Sequence, residues 1–66
     1  MRILLNDEPR DTEASTLGQL LASLGLSAEA GVAAAVDGAV VPRSAWTSTA
    51  LAPGMSVLVI RAAQGG

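Results

Sequence analysis

The chain has 66 residues, a formal net charge of −2, and a composition that is half hydrophobic with a single aromatic residue, Trp46. That size suits one small domain, which buries only about 60% of the surface its unfolded chain exposes. Cysteine and histidine are absent, which excludes disulfides and thiolate metal sites and removes the commonest general base.

Tyrosine and lysine are missing too, leaving four arginines and six carboxylates as the ionisable side chains. No nucleophile–base pair can be assembled from that set, so the chain is not expected to be an enzyme. An acidic balance with one aromatic residue argues against a nucleic-acid partner. No apolar run approaches the roughly 20 residues that span a bilayer. The start, Met1-Arg2-Ile3-Leu4-Leu5-Asn6, lacks the pattern of a signal peptide. A cytoplasmic protein away from membranes is the expectation.

In chain order, Arg2 to Leu5 reads as a short strand and Asn6-Asp7-Glu8-Pro9 as a turn. Arg10 to Glu13 is expected to return as a polar edge strand. Asp7, Glu8, Asp11 and Glu13 lie close in sequence without the spacing of a metal loop. They read as a solvated hairpin face.

Thr16-Leu17-Gly18-Gln19 fits a capping box, with hydroxyl and amide satisfying backbone donors reciprocally. Leu17, Leu20, Leu21 and Leu24 follow at the spacing of one helical face. Gly25 supplies a left-handed stop, with Leu26 packing back on Leu21. A helix of about eight residues does not persist alone, so a sheet must hold its leucines.

Val32 to Val36 and Ala39 to Val41 read as a hairpin joined by Asp37-Gly38, two residues that tolerate positive φ. Pro42 ends it. Arg43 to Ala52 is expected to be an irregular connection anchored by Trp46 and Leu51. Trp46 is a candidate binding residue, but burial suits the one aromatic of a thin core. Pro53-Gly54 then turns the chain into a last strand, Ser56 to Arg61.

The order is therefore β-β-α-β-β-β, an α+β domain with a mixed sheet of about five strands on one helix. The first and last strands are the most apolar and should lie side by side in the middle. Side chains alternate between faces. With Ile3, Leu5, Val57 and Val59 toward the helix, Leu4, Leu58 and Ile60 point the other way. One helix covers one face, so an apolar patch should be exposed beside the C-terminus, as at many protein-binding surfaces.

The ending, Ala62-Ala63-Gln64-Gly65-Gly66, follows the last strand directly. Four of these five residues carry one side-chain carbon or none, and extended they reach about 16 Å. Residues 62–66 are thus expected to be a flexible tail that enters a narrow channel of another protein. Its terminal carboxylate is ionised at neutral pH and is a competent nucleophile toward phosphorus.

Three stretches together resemble the thiamine-pathway sulfur carriers of the ThiS family: Thr16-Leu17-x-Gln-Leu20-Leu21-x-x-Leu24-Gly25-Leu26, Val36-Asp37-Gly38-Ala39-Val40-Val41-Pro42-Arg43-Ser44-x-Trp46, and Gln64-Gly65-Gly66. The likeness covers essentially the whole chain. The Gly-Gly ending is shared by several carrier and modifier families, whereas the Val-Pro-Arg-Ser-x-Trp block is more specific. Asp7 stands where that family has glycine, Asp37 where it has asparagine, and Met55-Ser56 where an acidic residue is common.

The resemblance implies a ubiquitin-like β-grasp domain over residues 1–61. It also implies a cycle on Gly66. A ThiF-type adenylyltransferase binds the carrier, threads Ala62 to Gly65 toward ATP and Mg²⁺, and adenylates the carboxylate. A cysteine desulfurase or sulfurtransferase supplies sulfur, which displaces AMP and leaves a thiocarboxylate for thiazole synthase. The carrier itself would hold no permanent cofactor and no metal. Leu4, Leu58, Ile60 and Arg61, with Arg43, would form the docking patch. The alternatives are the small subunit of molybdopterin synthase, a tRNA-thiolation carrier, or a ubiquitin-like modifier joined to lysines.

Overall fold

The computed structural model describes residues 1–26 and 31–61. Five strands, one α-helix and one 3₁₀-helix follow in the order β1 Arg2–Leu5, β2 Glu8–Asp11, α1 Leu17–Ser23, β3 Val32–Val36, β4 Ala39–Val41, the 3₁₀-helix Arg43–Ser48 and β5 Ser56–Arg61. The sheet runs β2-β1-β5-β3-β4, with the last strand at its centre. β1 and β5 are parallel neighbours, and the remaining pairings are antiparallel. The two most apolar strands therefore lie together, as expected.

The β1–β2 turn is tighter than the sequence suggests. Only Asn6 and Asp7 form it, both left-handed at φ 51° and 66°. β2 then starts at Glu8, and Pro9 faces Leu4 in the ladder. A proline there is tolerated because β2 is an edge strand with a free outer side. The expected strand start at Arg10 is thus corrected by two residues.

The helix start also differs in detail. Thr16 Oγ1 accepts from the Gln19 backbone N–H as a capping box requires, at 3.2 Å. The Gln19 side chain reaches one residue further back, however, accepting from the Ser15 N–H at 2.8 Å. Thr16 sits instead in an isolated antiparallel bridge with Ala50. Its bonds are donated by the Leu17 N–H to the Thr49 carbonyl at 2.8 Å and by the Leu51 N–H to the Ser15 carbonyl at 2.9 Å.

The helix end follows its sequence signal. Gly25 has φ 76°. The Leu26 N–H donates to the Leu21 carbonyl at 2.9 Å and the Gly25 N–H to the Ala22 carbonyl at 3.0 Å. These are the two bonds of a Schellman ending.

Arg43–Ser48 is ordered as a 3₁₀-helix rather than irregular, and Pro42 precedes it as its N-terminal flank. The fixed φ of proline suits that entry. The turn packs Trp46 into the core, where Ile3, Leu17, Leu20, Leu21, Ala34, Leu51 and Val57 are also buried. Each fully buried leucine or isoleucine contributes about 1.5–3 kcal/mol, which is how a seven-residue helix is held on the sheet.

Candidate functional site

Alternation of β5 sorts its residues between two faces. Val57 is buried under the helix, while Leu58 and Ile60 are 45% and 54% exposed on the open face. Leu4 on β1 is exposed there too, at 37%. The helix-facing set predicted from the sequence holds: Ile3 and Val57 are buried, and Leu5 and Val59 pack partly against the core. Among the described residues no polar side chain is buried on either side.

The open face contains more than the three residues read from sequence. Val40 is its most exposed large side chain, at 77%. The register sets Val40, Ala35 and Leu58 in one row across β4, β3 and β5. Ala33 stands opposite Ile60 in the next row. Ala35 therefore sits low between Val40 and Leu58, in a groove of about 420 Å³ whose lining also includes Ala33, Ile60 and Asp7. Val40 was legible in principle. A two-residue turn at Asp37-Gly38 forces Val40 opposite Ala35, and alternation then puts both on the uncovered face.

Two side chains fasten the turns around β5. Asp37, left-handed at φ 48°, accepts on Oδ1 from the Ser56 N–H at 2.9 Å. The Asp37 N–H in turn donates to the Ser56 carbonyl at 2.8 Å. Asn6 Oδ1 accepts from the Val59 N–H at 2.8 Å. Asp7 and Asp37 both occupy left-handed positions that short polar residues tolerate.

Arg43 and Arg61 are placed differently. Arg61 is exposed at the end of β5. Arg43 stands on the 3₁₀-helix, which packs against α1, and its guanidinium lies 4.6 Å from the centre of the Trp46 ring. It does not line the groove. Ala62, Ala63, Gln64, Gly65 and Gly66 lie outside the described residues.

The acidic hairpin behaves as a solvated face. Arg2 Nε and Asp11 Oδ1 pair at 3.2 Å with both side chains largely in water. The hydrogen bond from Arg2, reinforced by its charge, lowers the Asp11 pKa. Among the described residues no cluster of acidic or other ligating side chains could hold a metal ion. No helix there is long and apolar enough to cross a membrane.

A mixed five-stranded sheet grasping one helix, with its C-terminal strand in the centre, defines a β-grasp, ubiquitin-like protein. The ThiS family model matches residues 3–66, and the chain belongs to that family. Among solved structures, the crystal structure of the thiamine biosynthesis protein (ThiS) from Geobacter metallireducens is similar over 100% of both chains, with a TM-score of 0.82 at 23% identity. The NMR solution structure of a thiamine biosynthesis protein from the same organism gives 0.80 at 23% identity, over 100% of this chain and 88% of that one. No curated protein matches the chain.

Proposed function

We propose that this protein is a sulfur carrier of thiamine biosynthesis whose reactive atom belongs to the Gly66 carboxylate. The observation behind the proposal is the ThiS family match, which runs through residue 66 and so takes in Gln64-Gly65-Gly66. The fold supports it: β5, the central strand of the sheet, ends at Arg61, five residues before Gly66.

The chemistry suits the composition. A Gly66 oxygen attacks the α-phosphorus of ATP, the bond to the β-phosphate oxygen breaks, and pyrophosphate leaves. Mg²⁺ on the partner adenylyltransferase screens the phosphate charges that would repel the incoming carboxylate. Hydrosulfide then adds to the acyl carbon with loss of AMP, or a donor persulfide adds in the same way and a second thiol cleaves the resulting S–S bond, becoming a disulfide with the donor. Either way a thiocarboxylate remains for thiazole synthase. A chain without thiols carries sulfur on its backbone end, and one without an acid–base pair borrows catalysis from its partners. Gly65 and Gly66 present no Cβ to crowd a narrow catalytic channel.

In this cycle Leu4, Leu58 and Ile60 dock the partner, Arg61 sits at the tail entrance, and residues 62–65 thread the channel. The test is pyrophosphate release by the cognate adenylyltransferase with ATP and this protein. Deleting Gly65-Gly66 is expected to abolish release while leaving the β-grasp domain folded. Release that persists after the deletion would overturn the proposal.

A further inference from the structure

Of the three aspartates in the chain, only Asp37 is followed by glycine. That pair carries a reaction of its own. The backbone nitrogen of the following residue attacks an aspartate side-chain carboxyl carbon, and glycine there has no Cβ to obstruct the approach. The space around Gly38 is open, with nothing within 4 Å of where a Cβ would stand. Asp7 and Asp11 precede Glu8 and Thr12 instead, whose side chains shield the nitrogen.

Ring closure also needs a particular backbone shape. The Asp37 Cβ and the Gly38 nitrogen must lie on the same side of the Asp37 Cα–C bond. Asp37 and Gly38 have φ 48° and 86°, the positive pair of a type I′ turn. The first central residue of such a turn has ψ of about +30°, which sets that Cβ and that nitrogen nearly opposite each other. β5 holds the residue in this shape by two bonds. Asp37 Oδ1 accepts from the Ser56 N–H at 2.9 Å, and the Asp37 N–H donates to the Ser56 carbonyl at 2.8 Å. One residue of the central strand thus grips both the carboxylate and the backbone of Asp37, in the conformation that does not react.

We infer that Asp37-Gly38 is a site of spontaneous isoaspartate formation, held closed in the folded protein by the clasp to Ser56. When the clasp opens, the Gly38 nitrogen bonds to the Asp37 Cγ, and its proton leaves with a carboxyl hydroxyl as water. The product is a five-membered succinimide. Water then cleaves one of the two C–N bonds of the ring. Cleavage at Cγ restores Asp37. Cleavage at the main-chain carbonyl leaves the chain running through Cβ and Cγ, with a free α-carboxylate, and the net composition is unchanged. The main chain is then one atom longer inside a two-residue turn, so the Val36–Ala39 and Ala35–Val40 pairings set by that turn lose their register. A carboxyl methyltransferase specific for isoaspartate is the class of enzyme that acts on this product.

Ageing the protein in heavy-oxygen water at neutral pH tests the inference, with the product counted by an isoaspartyl methyltransferase and located by peptide mapping. Isoaspartate is expected at Asp37 and at neither Asp7 nor Asp11, labelled by oxygen from the water. It should form about tenfold or more faster in guanidinium chloride than in the folded protein. Ser56→Pro removes the N–H donor at the first residue of β5, where proline is tolerated. While circular dichroism shows that variant folded, it is expected to react about threefold or more faster than the wild type. Ser56→Ala keeps the N–H and should age as the wild type does. Asp37→Asn, which keeps an acceptor oxygen and tolerates the left-handed turn, supplies a second measurement. Its loss of ammonia should be slowed by folding to the same degree. Equal rates in the folded and denatured wild type, a folded Ser56→Pro no faster than wild type, or an Asp37→Asn unprotected by folding would each overturn the inference.

Discussion

Asn6 Oδ1 accepts a 2.8 Å hydrogen bond from the backbone N–H of Val59, a residue 53 positions later. The reason is the length of β1, which pairs with β5 only at Leu4 and Leu5. Beyond Leu5 the chain turns away into β2, and the Asn6 side chain continues the ladder in place of a strand. The bond ties the first turn of the protein to the strand that leads to its C-terminus.

Asn6→Ala should therefore destabilise the fold by about 1–2 kcal/mol, from the lost hydrogen bond together with a left-handed φ that alanine resists. Asn6→Gly relieves the backbone part and leaves only the bond missing, so it should fall between the two. Urea midpoints order the three proteins. An Asn6→Ala midpoint equal to the wild type would show that the bond contributes nothing.

Gly18 gives a prediction of sign. In most helices alanine is favoured over glycine by about 1 kcal/mol. Here a Cβ would stand 3.2 Å from the Thr47 Cα and 3.3 Å from its backbone nitrogen. The Thr47 Cγ2 would be as near, at 3.2 Å, so α1 meets both the backbone and the side chain of Thr47 here, and an added methyl group pushes the two helices apart. Gly18→Ala is expected to lose about 1–2 kcal/mol net. A variant more stable than wild type in urea would contradict that packing.

Trp46 holds the 3₁₀-helix by two contacts. Its Nε1 donates to the Val41 carbonyl at 3.0 Å, and Arg43 covers its ring. Trp46→Phe removes the donor and should cost about 1–3 kcal/mol. Arg43→Ala should cost about 0.5–1 kcal/mol through the lost stacking. Because Arg43 lies outside the groove lining, its loss is expected to lower the thermal midpoint and leave partner affinity unchanged. Weakened binding without a change in midpoint would return Arg43 to the docking surface.

These contacts mark where sequence reading succeeds and where it stops. Signals confined to a few neighbouring residues were legible: the leucine face of α1, the Gly25 stop, the Asp37-Gly38 hairpin, and the faces of Ile3, Leu4, Val57 and Leu58. Each depends on local dihedral preference or strict periodicity. The ordered 3₁₀-helix was not, because its turn is fixed by Trp46 reaching the core and by contact with Gly18, both tertiary. The Thr16–Ala50 bridge is likewise tertiary, and the Gln19 side chain accepts from the Ser15 N–H, one residue before the expected partner. For the candidate site, Leu4, Leu58 and Ile60 followed from alternation. The groove needed the strand order as well, since only adjacency of β4, β3 and β5 sets Ala35 between Val40 and Leu58.

The Arg2–Asp11 pair sets a pH dependence. Asp11 is more acidic in the folded protein than in the unfolded chain, so the unfolded state takes up its proton first as pH falls. The pair's stabilisation is present above the ordinary carboxylate range and is lost as pH drops through the lowered Asp11 value. Both groups are in water, so the effect is small and screened by salt. Between about pH 6 and pH 2, the wild type should lose slightly more stability than Asp11→Asn at low ionic strength. An excess loss that survives high salt would argue against this pair as its source.

The placement of the working atom at Gly66 is tested most directly by intact mass. Wild-type protein is incubated with ATP, Mg²⁺, the cognate adenylyltransferase and a sulfur source, then weighed and fragmented. The expected product gains the mass of sulfur less that of oxygen, with the change confined to Gly66, and loses its sulfur when thiazole synthase and its substrates are added. An unchanged mass under conditions where the same enzymes thiolate a known carrier, or a sulfur found elsewhere in the chain, would contradict it.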